Sequence, residues 1–298
     1  MRSLERKPWG SIALFIAPVM IYYCFFIIYP IGATIYNSFH TMYPRSGRII
    51  TEFVGLRNFR ELFEDEIFLL SIRNTTIWAI VGPTVEMFVA TTLAFIVYFR
   101  VPFYRFYRIA WFTPILITGV IVGIVFKWVF NYEWGLVNVG FRAVGLESLA
   151  INWLGKPNTA LGVVIFVHFW NTFGYSFILL LAGLSAVSRE VLESAQIDGA
   201  SSMRICTAIL FPIILPVFIT TTILSFMGKM RAFHVVWVLT NGGPMHHTET
   251  VATYVQKRAF GWATLDLGYS SAIAVFWFIL VILGVVLINR WLQSKVEL

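Results

Sequence analysis

Charge is scarce in this chain: Asp, Glu, Lys and Arg make up 12% of its 298 residues, against 58% hydrophobic residues, and the mean hydropathy is +0.78. That scarcity excludes an ordinary soluble domain, since no polar stretch is long enough to bury a core of its own. Cysteine is scarcer still. Cys24 lies in an apolar run and Cys206 just past a polar loop, so neither a disulfide framework nor a cysteine metal site is expected. A Gly-x-x-x-x-Gly-Lys-Ser/Thr phosphate loop is missing as well, because Gly155-Lys156 stands alone; the chain has no nucleotide cradle of that kind. Acidic residues number 15 against 22 basic ones, a net charge of +7. The basic residues are scattered between apolar runs instead of forming a stripe, which argues against nucleic acid and for membrane lipid with anionic headgroups.

What is present is apolar length. Runs of the roughly 20 residues needed to cross hydrocarbon occur at about Ser11–Tyr36, Ile72–Phe99, Ile109–Phe130, Ala160–Leu184, Ile209–Leu239 and Tyr269–Leu292. They predict an all-α integral membrane protein with six transmembrane helices in one domain over residues 1–298. Helices are expected because an unsatisfied peptide group in lipid costs several kcal/mol, and the alternation of barrel strands is absent. The first run follows Arg2, Arg6 and Lys7 like a signal peptide, but it is too long and no clear small-residue cleavage site follows, so it is expected to be retained.

With both termini inside, Arg2, Arg6, Lys7, Arg100, Arg105, Arg108, Arg189, Arg204, Arg290 and Lys295 face the cytoplasm. The other face holds Arg45, Arg48, Arg57, Arg60, Arg142, Lys156, Lys257 and Arg258, several of them diluted by Glu52, Glu61, Glu64, Asp65 and Glu66. Basic residues near the first span carry most weight, so a multi-pass protein with both termini cytoplasmic is expected.

The fourth and fifth spans are joined by a long polar segment, residues 185–208, where a few residues would suffice. Leu192, Ala195 and Gly199 recur at helical spacing, giving a short helix with a small-residue side on which the glycine would let another backbone approach. Glu193 and Asp198 can bond to exposed peptide N–H groups or a basic partner. Physics alone leaves two readings open: a helix held by a partner, or an amphipathic helix lying on the membrane.

The run Glu193-Ser194-Ala195, then Asp198-Gly199-Ala200, Phe211-Pro212 and Pro216, resembles the Glu-Ala-Ala loop of binding-protein-dependent ABC importer permeases, with Ser194 for the usual alanine and Phe211 for the usual leucine. Phe53-Val54-Gly55-Leu56-Arg57-Asn58-Phe59, Asn131-Tyr132-Glu133-Trp134-Gly135-Leu136-Val137-Asn138, Leu239-Thr240-Asn241-Gly242-Gly243-Pro244 and Asp266-Leu267-Gly268-Tyr269-Ser270-Ser271-Ala272 resemble the carbohydrate-uptake branch, on the side of the larger maltose permease. The resemblance implies a type I permease fold in a bacterial or archaeal cytoplasmic (inner) membrane. It implies four kinds of partner: a second related permease, a cytoplasmic ATPase dimer, an extracytoplasmic solute-binding protein and membrane lipid. ATP and Mg would sit on the ATPase subunits and no cofactor on this chain, which would be a transport subunit and not an enzyme. Glu193, Ala195, Asp198, Gly199 and Ala200 would couple to the ATPase through a helix in the cytoplasmic loop.

Counting from that loop, the same resemblance places His168, Asn171, Thr172 and nearby Tyr175 of the fourth span, with Lys229 of the fifth, along the substrate path. Polar groups inside spans are functional by default, and a polar-aromatic face suits sugars. The alternatives are an interhelical donor for His168 and an interface anchor for the aromatics. Lys229 needs an anionic neighbour, for which Glu86 is one choice, or an acidic solute such as an alginate- or pectin-type uronate; it could also snorkel outward or pair with the second permease. Neutral oligosaccharides and glycerol phosphate are the other cargoes considered, and a stand-alone secondary transporter the other mechanism. His246-His247 alone is too few ligands for a metal site.

Overall fold

A computed structural model describes residues 9–45, 48–261 and 266–294, so Arg2, Arg6, Lys7 and Lys295, which weighed in the orientation, lie outside the described residues. Two compact units divide the chain: one holds the chain up to Glu64 together with Val255–Trp277, the other Asp65–Tyr254 together with the chain from Phe278.

In the first unit α1 (Trp9–Tyr23) and α2 (Tyr29–Ser38) are joined by a π-helical turn at Cys24–Ile28. The turn lies just ahead of Pro30, which offers no N–H and crowds the carbonyl four residues back, and a widened turn relieves that crowding. The apolar window of this helix is wholly unburied, so lipid or another protein must cover it. Two strands follow that the sequence reading did not foresee. β1 (His40–Arg45) pairs antiparallel with β2 (Arg48–Phe53), His40 opposite Phe53. α3 (Arg57–Leu62) carries Asn58, whose amide donates to the Ser38 and His40 carbonyls, each at 2.9 Å, and so braces the hairpin base. Farther along, Asp266 accepts from the Gly268 and Tyr269 N–H groups at 3.0 Å and starts the last long helix.

The second unit contains α4 (Glu66–Tyr98), α5 (Tyr104–Phe112), α6 (Gly119–Val129), α7 (Leu136–Ala143), α8 (Pro157–Ser185), α9 (Arg189–Ile197), α10 (Ser202–Arg204), α11 (Phe211–Met230) and α12 (His234–Leu239). α13 (Val251–Phe260) and α14 (Leu267–Gln293) are each divided between the units. Among the described residues five helices are long and apolar enough to cross a membrane, and a sixth if one bent pair counts as a span.

That pair corrects the third expected span. Ile109–Phe130 is no single rod: residues Tyr104–Leu116 and Gly119–Val129 meet at 100°. Pro114 and Gly119 border the break, and Asn171 of α8 donates to the carbonyls of Pro114 at 2.7 Å and Ile117 at 3.2 Å, bracing the bend from the neighbouring helix. The expected span Ile209–Leu239 falls within one candidate span, Ser202–Leu239, in which Arg231–Phe233 separate α11 from α12. A second π turn, Ile205–Leu210, precedes Pro212 as the first precedes Pro30.

Two apolar clusters hold the unit. One gathers Met87, Ala90 and Val97 of α4, Phe177, Leu180 and Leu184 of α8, Ala195 of α9, Ile205, Leu210 and Ile214. The other gathers Trp78, Val122, Val164, Val167, Val235 and Val236.

Candidate solute path and coupling loop

Two stripes of side chains face one another between the clusters. On α4 they are Trp78, Gly82 and Glu86, and on α8 His168, Thr172 and Ser176, each set spaced at i, i+4, i+8 along one helical side. Trp78 meets the His168 ring edge-on with centroids 5.1 Å apart. Glu86 accepts from the Ser176 hydroxyl at 2.5 Å and from Thr172 at 3.4 Å. The matching order of contacts shows that α4 and α8 run in the same direction, as second and fourth spans must.

Lys229 of α11 completes the cluster. Its ammonium pairs with the Glu86 carboxylate and donates to Thr172 Oγ1 at 3.3 Å, and the two charged side chains are only 3% and 2% exposed. Gly82 makes this possible: a Cβ there would lie 3.0 Å from Lys229 Cγ and 3.1 Å from the Trp78 ring. A buried ammonium without an answering charge costs several kcal/mol, so the pair and its hydroxyls form one unit. Nearby, His168 Nδ1 and Trp78 Nε1 are buried and have no hydrogen-bond partner among the described residues.

Of the residues expected along the path, His168, Thr172 and Lys229 come together. Asn171 is 6% exposed and spends its amide on the broken span; Tyr175 is 46% exposed on another side of α8. Ser176 and Gly82 were missed by sequence reading, although Ser176 stands four residues beyond Thr172 and Gly82 four before Glu86.

The polar loop builds α9. Ala195 is buried in the first apolar cluster, with Leu192 and Ala200 packed against it, while Glu193, Ile197, Asp198 and Gly199 are exposed. The helix ends at Gly199, whose φ is +73°. The Ala200 N–H reaches back to the Ala195 carbonyl and the Gly199 N–H to the Gln196 carbonyl, both at 3.0 Å, the two bonds of a Schellman ending. Within this chain nothing lies within 4 Å of its missing Cβ, and the left-handed backbone by itself calls for a glycine there.

The loop after α12 is held within its unit. Asn74 of α4 donates to the carbonyls of His246 at 3.2 Å and Glu249 at 3.0 Å, and His246 Nδ1 lies 2.9 Å from Glu249 Oε2. Among the described residues no three His, Cys, Asp or Glu side chains gather as metal ligands.

Long apolar helices, charges answered within the bundle and a short outward-facing helix held by a long interhelical loop define a multi-pass transport protein. The chain belongs to the family of binding-protein-dependent transport system inner membrane components, whose family model matches residues 87–298. It is 29% identical over 284 residues to the sulfoquinovosyl glycerol transport system permease protein of Agrobacterium fabrum, covering 95% of this chain and 90% of that one. It is 32% identical over 272 residues to the trehalose/maltose transport system permease protein of Thermococcus litoralis, covering 90% and 89%. In fold it is similar to a chain of a bacterial alginate ABC transporter crystallised in complex with an alginate pentasaccharide-bound periplasmic protein, with a TM-score of 0.84 at 19% identity over 97% of this chain and 96% of that one. The carbohydrate-uptake resemblance and the type I permease fold are thus borne out: this is a membrane-embedded ABC importer permease of the sugar branch.

Proposed function

We propose that this chain is one permease subunit of an ATP-driven carbohydrate importer, working with a second permease, a cytoplasmic ATPase pair and an extracytoplasmic solute-binding protein. The observation that carries this reading is α9: Ala195 roots it in the core shared by α4, α8 and α11, while Glu193, Ile197 and Asp198 are left outside. A partner pressing on that exposed side moves a helix packed against three spans, which is what coupling requires. In this proposal α9 lies on the cytoplasmic side with both termini, ATP and Mg stay on the ATPase subunits, and closure there rocks the bundle to receive solute from outside. Glu193 and Asp198 address the ATPase, while Gly199 and Ala200 close the helix.

For the cargo, the substrate path follows His168, Thr172 and Lys229, with Asn171 setting the bend beside it and Tyr175 facing a neighbour. The proposed solute is a saccharide, whose hydroxyls suit the spare groups of His168 and Trp78 in a more open state. An acidic oligosaccharide of the alginate or pectin kind is favoured by the likeness to importers of the acidic polysaccharide alginate. A neutral oligosaccharide is the second reading, favoured by the internal pairing of Lys229 with Glu86, which leaves that cation no unmet need for an anion.

Reconstitution tests both levels. Vesicles holding this chain with its second permease and ATPase pair should take up labelled saccharide only with ATP and the solute-binding protein supplied. Uptake by this chain alone would overturn the importer reading. Calorimetry of the cognate binding protein against uronate and neutral oligosaccharides decides the cargo class.

A further inference from the structure

At the same end of the second unit as α9, the corner between α4 and α5 carries a charge pattern that the transport reading leaves unused. Between Glu86 and Glu133 the sequence has no acidic residue, yet Arg100, Arg105 and Arg108 fall within nine positions of one another. All three are exposed, and among the described residues none has a carboxylate partner within ion-pair distance. Arg105 instead donates to the Tyr104 hydroxyl at 3.1 Å. The carboxylates of Glu190 and Glu193 lie on the nearby α9 and that of Asp198 at its end, but none of them is within ion-pair distance of these arginines.

Interleaved with the arginines are exposed apolar side chains: Phe103 is 78%, Phe106 65% and Ile109 67% exposed. Their i, i+3, i+6 spacing continues along the outer side of α5, while Tyr104, Tyr107 and Trp111 pack inward on the first apolar cluster. The turn itself is strained. Arg100 and Phe103 have φ of +54° and +61°, a conformation costing roughly 1–2 kcal/mol for a residue with a Cβ, and Pro102 prevents the helix from running on. The chain therefore turns sharply into α5, and the 100° bend beyond it means that α5 and α6 cannot share one membrane normal.

Uncompensated arginines beside exposed aromatic rings, on a protein whose surroundings are lipid, match one kind of partner. The arginines reach phosphate oxygens, and the rings enter the acyl boundary just beneath. We propose that the α4–α5 corner is an anionic-phospholipid surface, with Arg100, Arg105 and Arg108 binding the headgroup phosphates and Phe103 and Phe106 the glycerol-acyl level. It seats the α9-bearing end of the bundle at a fixed depth in the headgroup layer.

The full chain in nanodiscs of phosphatidylcholine, with or without phosphatidylglycerol, provides the test, with lipid retention read by native mass spectrometry. The wild type should retain phosphatidylglycerol over phosphatidylcholine. Each of Arg100→Gln, Arg105→Gln and Arg108→Gln should lower that retention about fivefold, the effect of one basic residue at a charged membrane surface. The double variant R105K/R108K, which keeps the charge, should retain most of it, so a loss confined to the Gln variants reports charge and not misfolding. Equal retention of both lipids by the wild type overturns the proposal. So does unchanged phosphatidylglycerol retention in all three Gln variants, or a loss in R105K/R108K equal to theirs.

Discussion

The cluster around Lys229 and the loop around Glu193 use the same kinds of side chain for opposite ends. Inside the bundle, Lys229, Glu86, Thr172 and Ser176 answer one another across α4, α8 and α11. On α9 and its C-terminal cap, Glu193 and Asp198 are exposed, and only Ala195 of the helix is buried. Where water is excluded the chain supplies its own partners, since an unmet charge there would unfold it; where water is present it can leave groups free for another protein.

The largest expected effect breaks the inner half of this contrast. Glu86→Gln strands an ammonium in the core and should destabilise the detergent-solubilised protein by about 3–5 kcal/mol in thermal or denaturant unfolding, with most of the loss recovered by the double change Glu86→Gln with Lys229→Met. Recovery no better than the single change would show that the two residues are not energetically paired. Asn171→Ala removes the donor for two carbonyls at the bend and should cost about 1–3 kcal/mol in the same assay.

Gly199→Val should cost roughly 1–2 kcal/mol through its backbone alone and abolish ATP-driven uptake in the reconstituted importer. Gly199→Asn, which tolerates left-handed backbone, should keep substantial uptake. If Val and Asn behave alike, the ending of α9 is not what matters at that position. Smallest of all on folding, Glu193→Gln or Ile197→Ser should shift unfolding by less than about 0.5 kcal/mol and yet weaken co-purification of the ATPase pair. A folding defect as large as that of Asn171→Ala would place these side chains with the inner group after all.

The long apolar runs announced the bundle because hydropathy over some 20 residues is a property no loop imitates. The bend in the third span was present as Pro114 and Gly119, but both are tolerated in membrane helices, so the break becomes visible only when Asn171 is seen bonded across it. Asn171 was placed on the path by the counted resemblance and its polarity in a span, signals that do not distinguish a hydroxyl of cargo from a carbonyl of the same chain. Lys229 and Glu86 could be matched by charge, whereas Gly82 carries no chemical signal and owes its place to the stem of a side chain 147 positions away. The loop after α12 gave no sign of the grip of Asn74 on the His246 and Glu249 carbonyls, which joins residues far apart in the chain. In α9 the Gly199 position was legible from its spacing, whereas its left-handed backbone shows only in the structure, because stripe spacing and helix ending select the same residue.

The terminus of α9 is fastened by main-chain groups alone, with Ala200 and Gly199 bonding back to the Ala195 and Gln196 carbonyls. Its shape therefore asks nothing of the acidic side chains that flank it. Glu193 and Asp198 can therefore change without disturbing the helix that carries them, so a permease of this build would take a new surface for the proposed ATPase partner without redesign of its interior.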